Sequence, residues 1–349
     1  MDLPEKRAVA GLPDDPFVEI LSRVSVKDLC RSKCVSKAWC NLIADPIHRK
    51  KLPQTLEGFF NGGNACYGRY IDLMNRPVPL VDPSLSFLKK LLPDMTLRLH
   101  RSCNGLLLFL GRDCNAHTLG YVVCNPATEQ LVAVPLSPLE HSKDGAWDIF
   151  LMFDPAVSSH FHLIQFWISF KLGVTAVHIF SSATGVWSDR VGEWRAGEEG
   201  GGWAQWGESA DIGCWTGSAV LNNMLHFMVR RSGFAWESRG MIVAVDGKGK
   251  TCRVIPWREN HAYPTFIGQS QSQLFCFTVR LTEMSELSIW VLEDYGTEEW
   301  SLKHRVSFLK LFGKESCKDS DYTVYGLWRS TTWVDELDVA TWAYLLELG

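Results

Sequence analysis

The chain has 349 residues, of which 46% are hydrophobic and 21% charged, so it is long enough for a large core or two domains and too apolar to stay disordered. The net charge of -4 is too small to indicate a charged partner, and the 15 tryptophans do not alternate with Lys or Arg as in a nucleic-acid-binding surface. No stretch approaches the ~18 consecutive apolar residues of a membrane span. Neither a nucleic acid nor a membrane is therefore expected as a partner.

The cysteines indicate a reducing compartment. There are eleven of them, an odd number, and no two are spaced as C-x-x-C, which argues against a disulfide framework. We therefore expect most of them to be small core residues with free thiols. The expected location of the protein is the cytoplasm, the nucleus or both.

Three short helices are predicted within the first 50 residues. Asp14 or Asp15 is the expected cap of the first helix, Ser25 that of the second and Ser36 that of the third. The apolar residues that recur along one helix face are Phe17, Ile20, Leu21 and Val24 in the first helix and Trp39, Leu42 and Ile43 in the third. The dipeptide Asp45-Pro46 is expected to end the third helix.

This helical segment carries more apolar residues than one internal seam can use. The surplus is drawn from Leu12, Pro13, Ile20, Leu21, Leu29, Val35 and Trp39. Below roughly 40 residues a domain usually needs a metal, disulfides or a partner for stability. The surplus should therefore dock on another protein, or alternatively on the chain's own second domain.

The same residues resemble an F-box. The matching positions are Leu12-Pro13, Glu19-Ile20-Leu21, Leu29, Arg31, Val35, Lys37, Trp39 and Leu42-Ile43, with Ser25 where the family usually has Pro. The resemblance implies binding to a Skp-type adaptor and, through it, to a cullin scaffold. The implied adaptor-binding residues are Leu12, Pro13, Ile20, Leu21, Leu29, Val35, Trp39 and Leu42. We assign residues 9–50 to this domain and 51–96 to a connecting segment.

Beyond the connecting segment, two irregular repeats predict strands. Turn motifs with Thr three residues before an apolar residue recur at intervals of 56, 67 and 46 residues, at Thr128, Thr184, Thr251 and Thr297. Polar turns followed by alternating apolar residues precede three of them, at Asn104, Asn223 and Gln273. Three or four antiparallel strands repeated about every 50 residues are typical of a β-propeller blade, with kelch as the nearest named period. A β-sandwich is the alternative, but it gives no reason for the repeated turn motif.

The longest interval contains a Gly-rich, acidic insertion with several tryptophans. Trp203, Trp206 and Trp215 are candidates for a target-binding surface, because exposed tryptophans on a long loop often dominate binding energy. The alternative is that they fold back over a blade.

The β-rich region also resembles the F-box-associated domains of plant F-box proteins. The stretches that carry the likeness include "SCNGLLLF", "VVCNPATEQLVAVP", "FSSATGVWSD" and "SIWVLEDYGTEEWSLKH". We assign residues 97–312 to this domain and 313–349 to an atypical tail in which the match fades. The expected fold is thus an α+β multidomain chain, with a small three-helix F-box followed by an all-β, propeller-like domain of antiparallel blades.

The motifs for catalysis or cofactor binding are weak. "AVDGKGKT" at 244–251 nearly matches a phosphate-binding loop, but the sequence after it predicts a strand where such a loop needs a helix. His160 and His162 could face one side of a strand, yet no third metal ligand is identifiable. No metal, cofactor or catalytic residue is predicted.

The sequence therefore predicts a non-catalytic, substrate-recognition subunit of a Skp-cullin-F-box ubiquitin ligase. Its F-box would bind the adaptor and its β domain an unknown target protein. Two alternatives stay open: a propeller enzyme, such as an oxidase or glycosidase, with a helical appendage, and an F-box scaffold that does not promote degradation.

Overall fold

The structure of the protein is a computed structural model that divides into two compact units, residues 1–60 with 70–84 and residues 61–69 with 85–349. Each unit is described by itself. The residues that the structure describes are 13–24, 26–45, 48, 52, 58–61, 69–72, 81–115, 117–137, 145–155, 157–169, 173–189, 210–212, 217–231, 241–248, 251–257, 263–270, 273–279 and 286–307.

The first unit contains three short helices, α1 (Asp14–Leu21), α2 (Val26–Ser32) and α3 (Lys37–Ala44). Strands β1 (Gly58–Asn61) and β2 (Arg69–Asp72) form a two-stranded sheet, in which Phe60 contacts Tyr70 at a ring-centroid distance of 5.0 Å. The buried residues of the helical segment form one cluster: Phe17, Val18, Leu21, Leu29, Leu42, Ile43 and Leu52.

The helix ends agree only partly with the predicted caps. The Ser36 side chain accepts a hydrogen bond from the Trp39 backbone N–H at 3.2 Å, which confirms it as the N-cap of α3. The predicted cap of α1 is wrong, because the helix starts at Asp14, its N-cap is Pro13 and no side chain caps it. Both aspartates instead lie in the first turn, where a carboxylate is stabilised by the helix dipole. Ser25 lies outside the described residues.

The second unit begins with helix α4 (Ser86–Leu91) and continues as four antiparallel sheets in chain order. Sheet 1 contains β3 (Thr96–Cys103), β4 (Leu106–Arg112), β5 (Thr118–Asn125) and β6 (Gln130–Pro135). Sheet 2 contains β7 (Gly145–Met152), β8 (His162–Ser169), β9 (Gly173–Ser181) and β10 (Val186–Asp189).

In sheets 3 and 4, as in sheets 1 and 2, the strands are antiparallel and follow one another in chain order. Sheet 3 contains β11 (Ala210–Ile212), β12 (Ser218–Leu221), β13 (Met224–Arg231), β14 (Met241–Val245) and β15 (Thr251–Pro256), and both β11 and β12 pair with β13. Sheet 4 contains β16 (Tyr263–Ser270), β17 (Gln273–Val279), β18 (Glu286–Asp294) and β19 (Glu299–Ser307).

Each sheet is a meander, so its first and third turns lie at the same end. We call this the tight-turn end, because β3 and β4 are joined by Asn104-Gly105 and β12 and β13 by Asn222-Asn223. All four of these residues have positive φ, as a two-residue type I′ hairpin turn requires. The predicted Thr motifs also fall here, at the junction of the third and fourth strands of each sheet. The opposite end, where β4 ends and β5 begins and where the last strand of each sheet ends, is called the connector end.

Consecutive sheets share their apolar faces. Sheets 1 and 2 bury a cluster that includes Leu108 and Leu163, sheets 2 and 3 a cluster around Phe166 and Phe227, and sheets 3 and 4 a cluster that includes Trp257. The first strands contact each other, β3 with β7 and β12 with β16, which makes them the innermost strands. This arrangement of four-stranded sheets confirms the predicted propeller and not the β-sandwich.

Candidate functional site

The surface of the helical unit is the first candidate, because some of its apolar side chains are not covered. Ile20 is 52% exposed and Val35 is 62% exposed, whereas their neighbours in the cluster are at most 7% exposed. Trp39 is half-buried and meets Phe17 edge-on, with ring centroids 4.4 Å apart. Ile20 and Val35 are two of the large exposed hydrophobic side chains of the described residues, and such side chains become a docking surface when they lie together.

The structure divides the predicted adaptor-binding residues into two groups. Pro13, Ile20 and Val35 are exposed, and Trp39 has one face in the cluster. The residues that instead form the unit's own core are Leu21, Leu29 and Leu42, at 3%, 6% and 7% exposure. Ile20, which the sequence places on one helix face with Phe17 and Leu21, is exposed, and Val18 is buried with those two residues instead. Leu12 lies outside the described residues.

The position of Val35 follows from the local chain path. Helix α2 ends at Ser32, and the backbone N–H of Val35 donates to the Ser32 carbonyl in the turn that follows. Ser36 then caps α3, which fixes Trp39 one turn further along. Val35 therefore lies in the turn directly before the cap of α3, where its side chain is exposed.

The predicted target-binding tryptophans cannot be placed. Trp203, Trp206 and Trp215 lie outside the described residues. The strands before and after residues 190–209 are β10 of sheet 2 and β11 of sheet 3, and Trp215 lies between β11 and β12 in the sequence.

The second candidate is the inner wall of sheets 1 and 2, which is the surface formed by their innermost strands β3 and β7. It contains a buried ion pair. Arg101 Nη2 of β3 donates to both carboxylate oxygens of Asp148 in β7, at 2.9 and 3.0 Å, and Arg101 Nε donates to the Ile149 carbonyl at 2.7 Å. The two side chains are only 7% and 5% exposed. Burial raises the pKa of Asp148, but the Arg101 charge and His100 outweigh that effect and lower it below its ordinary value.

A β-bulge gives this pair a third neighbour. The pairing register of β3 with β4 shifts between Leu99 and Arg101, so His100 is the extra residue of the bulge. In a regular strand two consecutive side chains point to opposite faces. Here His100 and Arg101 both approach Asp148, with His100 Nε2 3.8 Å from the carboxylate oxygen, and the His100 side chain is 35% exposed.

These inner-wall residues were not among the sequence-based candidates. Arg101 and Asp148 are 47 positions apart, and neither belongs to a known motif. The signal in the sequence is slight: "TLRLHRSC" alternates polar and apolar residues until His100-Arg101 breaks the alternation. Only the strand register shows what this break does.

A third polar group lies between sheets 3 and 4. His226 of β13 is fully buried, its Nδ1 is 3.1 Å from the Met224 carbonyl and its Nε2 is 2.8 Å from the Tyr295 hydroxyl. The carbonyl can only accept, so Nδ1 carries the proton and Nε2 accepts from the tyrosine. Burial lowers the pKa of His226 to about 4, so the imidazole is neutral near pH 7.

The buried thiols are unsuited to nucleophilic chemistry. Burial raises the pKa of Cys103 and of Cys124 to about 12, so both stay protonated near pH 7. Cys34 and Cys114 are exposed, so the expectation that most cysteines are core residues holds only for some of the described ones. All the cysteines whose state the structure describes are free.

The other predicted weak motifs give no catalytic arrangement within the described residues. "AVDGKGKT" runs from strand β14 into strand β15, which rules out the strand-to-helix geometry of a phosphate-binding loop. The described ranges contain no group of three or more His, Cys, Asp or Glu side chains that could hold a metal ion. None of their helices is long and apolar enough to cross a membrane.

Comparisons with known proteins agree with both units. The family profile "F-box domain" matches residues 10–51, and the profile "F-box protein At3g26010-like, beta-propeller" matches residues 70–318. F-box protein At5g07610 of Arabidopsis thaliana is 24% identical over 84% of this chain and 70% of its own length. F-box protein At5g03970 of the same plant is 24% identical over 84% of this chain and 69% of its own.

Other matches are partial. Two further Arabidopsis F-box relatives are 28% and 29% identical, and the chain spans about half the length of these relatives, 47% and 42%. A solved structure, the subtype N11 neuraminidase-like protein of A/flat-faced bat, is similar with a TM-score of 0.34 and 9% identity over 57% of this chain and 48% of that one. That likeness is too weak to bear on activity. The two profiles together cover most of the sequence, and the chain belongs to the F-box proteins with an At3g26010-like β-propeller.

Proposed function

We propose that the chain is the substrate-recognition subunit of a Skp-cullin-F-box ubiquitin ligase. The helical unit would bind a Skp-type adaptor and, through it, a cullin, while the propeller holds a target protein. The observation that carries the proposal is the uncovered apolar surface of Ile20, Val35 and Trp39 within the residues matched by the F-box profile. The protein would itself be non-catalytic, acting in the cytoplasm or nucleus.

The mechanism would be tethering. A target bound to the propeller and a charged ubiquitin-conjugating enzyme bound to the cullin would meet at an effective concentration that can reach about millimolar. The chemistry of ubiquitin transfer would belong to other subunits, so this chain needs only two binding surfaces.

Adaptor binding tests the proposal. Ile20→Glu and Val35→Glu place a charge on an apolar contact without removing a buried side chain, so each should weaken adaptor binding by about 2 kcal/mol, or roughly thirtyfold. The measurement is the Kd of the full chain for a purified Skp-type adaptor by titration calorimetry.

The matched control is Val186→Glu in β10. Val186 is 59% exposed, close to the 62% of Val35, but it lies on the outermost strand of sheet 2. It should leave the adaptor Kd unchanged. Equal Kd values for wild type and both surface variants would remove the docking assignment.

Target binding stays the less specified half of the proposal. We propose Trp203, Trp206 and Trp215 as contacts, since a Gly-rich, acidic stretch of the sequence carries these large aromatic side chains. Proximity labelling with wild type and with a triple alanine variant, under proteasome inhibition, should show the loss of specific neighbours. Neighbours that are labelled equally by both proteins would contradict this assignment.

The same labelling separates a degradative role from a scaffold. If the chain is a ligase subunit, the labelled targets should accumulate in cells with an active proteasome when cullin activation is inhibited. Targets whose abundance does not respond would favour the scaffold.

A further inference from the structure

The inner wall of sheet 1 carries more positive than negative charge. Arg98 and Arg101 pair with Leu110 and Leu108 of β4, so they lie two register positions apart on one face, the face toward sheet 2. The bulged His100 lies between them and approaches the same carboxylate. Arg98, the bulged His100 and Arg101 thus lie within four consecutive positions of β3, and the latter two approach the carboxylate of Asp148.

That carboxylate is already satisfied by other groups. Asp148 accepts from Arg101 through both oxygens and from the backbone N–H of Ile149 at 2.9 Å. His100 is 3.8 Å away, beyond normal hydrogen-bond length. Arg98 is exposed and has no ion pair or hydrogen bond to any described residue. The donors of Arg98 and the Nδ1 nitrogen of His100, whose Nε2 faces Asp148, are therefore available to another acceptor.

Access to these donors is from the connector end. At the tight-turn end, Asn104 Nδ2 donates to the Phe153 carbonyl of sheet 2 at 2.7 Å, and Gln269 Nε2 of sheet 4 donates to Asn104 Oδ1 at 2.9 Å. These bonds join three sheets at that end. Arg98 lies near the start of β3, which is the connector end of that strand, and is exposed, while the His100 side chain is 35% exposed and the Arg101 side chain 7%.

We infer that Arg98 and His100 form a receptor for an oxyanion, a carboxylate or phosphate group that a bound peptide inserts from the connector end. Arg98 supplies the mobile cation and the fork of donors that carboxylates and phosphates prefer. The Asp148–Arg101 pair lies deeper than Arg98 and His100. Because its two charges neutralise each other, it leaves no excess negative charge that would repel the anion. The assignment concerns the propeller alone and stands whether or not the helical unit binds an adaptor.

The first experiment uses inorganic phosphate as the probe. In the full chain labelled at the histidine ring carbons, titration with phosphate should shift the NMR signal that His100→Gln removes. An exposed ion pair contributes up to about 1 kcal/mol, so Arg98→Gln should weaken this binding about fivefold. Arg305→Gln, on an exposed arginine of the outermost strand β19, is the matched control and should leave the titration unchanged.

The second experiment identifies the source of the anion. Three labelled serine peptides that differ at one residue, phosphoserine, aspartate or serine, are compared by fluorescence anisotropy. Tighter binding of the phosphoserine peptide assigns phosphate, and equal binding of the phosphoserine and aspartate peptides assigns any carboxylate or phosphate. A His100 signal that phosphate does not move, or a shift that is the same in Arg98→Gln, overturns the inference. Circular dichroism of each variant establishes that the fold is intact.

Discussion

The helical unit and the four sheets differ in how completely they bury their apolar side chains. In α1–α3 a small cluster is buried while Ile20 and Val35 stay exposed, whereas each pair of consecutive sheets buries a cluster between them. The sheets also bury polar groups, and these are paired across the sheet interfaces. The comparison indicates that the sheets are stabilised by each other, while the helices leave part of their apolar surface exposed.

The largest effect should come from breaking the buried ion pair of the sheets. Arg101→Ala leaves Asp148 charged and buried, so the free energy of unfolding should fall by about 3–5 kcal/mol. Urea denaturation followed by tryptophan fluorescence measures it. Arg305→Ala, which removes an exposed arginine, should change stability by less than about 0.5 kcal/mol. A small effect of Arg101→Ala would show that the polar contacts between sheets are dispensable.

Truncating a core side chain of the helical unit should destabilise that unit by nearly as much. Leu21→Ala removes a side chain that is 3% exposed, and such changes cost about 2–5 kcal/mol. Hydrogen exchange of the α1–α3 amides in the full chain should show the loss of protection. Ile20→Ala is the adjacent control, since Ile20 is exposed and should barely alter exchange. Comparable effects of both would contradict the division into core and docking residues.

The buried His226 between sheets 3 and 4 predicts that the free energy of unfolding depends on pH. The pKa of His226 is about 4 in the folded protein and about 6.5 when unfolded, so the unfolded state binds the proton first as the pH falls. His226 should therefore cost about 3 kcal/mol of stability between pH 6.5 and pH 4. Urea midpoints of wild type and His226→Gln should converge as the pH is lowered through this window. Parallel pH profiles would show that His226 is not buried as a neutral ring.

The smallest effect should be at the cap of α3. Ser36→Ala removes the acceptor of the Trp39 N–H and should cost about 1 kcal/mol, whereas Ser36→Asp keeps an acceptor and should restore it. Amide exchange in the first turn of α3 reports the change. An alanine variant with unaltered exchange would mean that this bond does not help to hold Trp39 in place.

The sequence was most informative where structure is local. The Ser36 cap, the strand-turn-strand units around Asn104 and Asn223 and the Thr turns all depend on residues within a few positions of each other. The cap of α1 could not be predicted in the same way, because two aspartates and two prolines compete within "LPDDPF". Similarly, 3.6-residue periodicity placed Ile20 on one helix face with Phe17 and Leu21, and it did not show that Ile20 is exposed while Val18 is buried.

The inner-wall site lay beyond such arguments. His100 and Arg101 reach the same carboxylate only because a bulge interrupts the alternation of β3. The partner strand is 47 residues away, so neither the bulge nor the pairing follows from spacing. Residues whose contacts depend on strand register and sheet order are those that a single sequence hides.

Because neighbouring sheets share their apolar faces, cleavage of the chain between two sheets would expose apolar surface on both fragments. A cut within 190–209 would leave sheets 1 and 2 on one fragment and sheets 3 and 4 on the other, and each fragment would expose its half of the cluster around Phe166 and Phe227. The two halves are complementary by construction. The two fragments should therefore reassemble when they are produced together. Either fragment produced alone should aggregate through the same exposed surface.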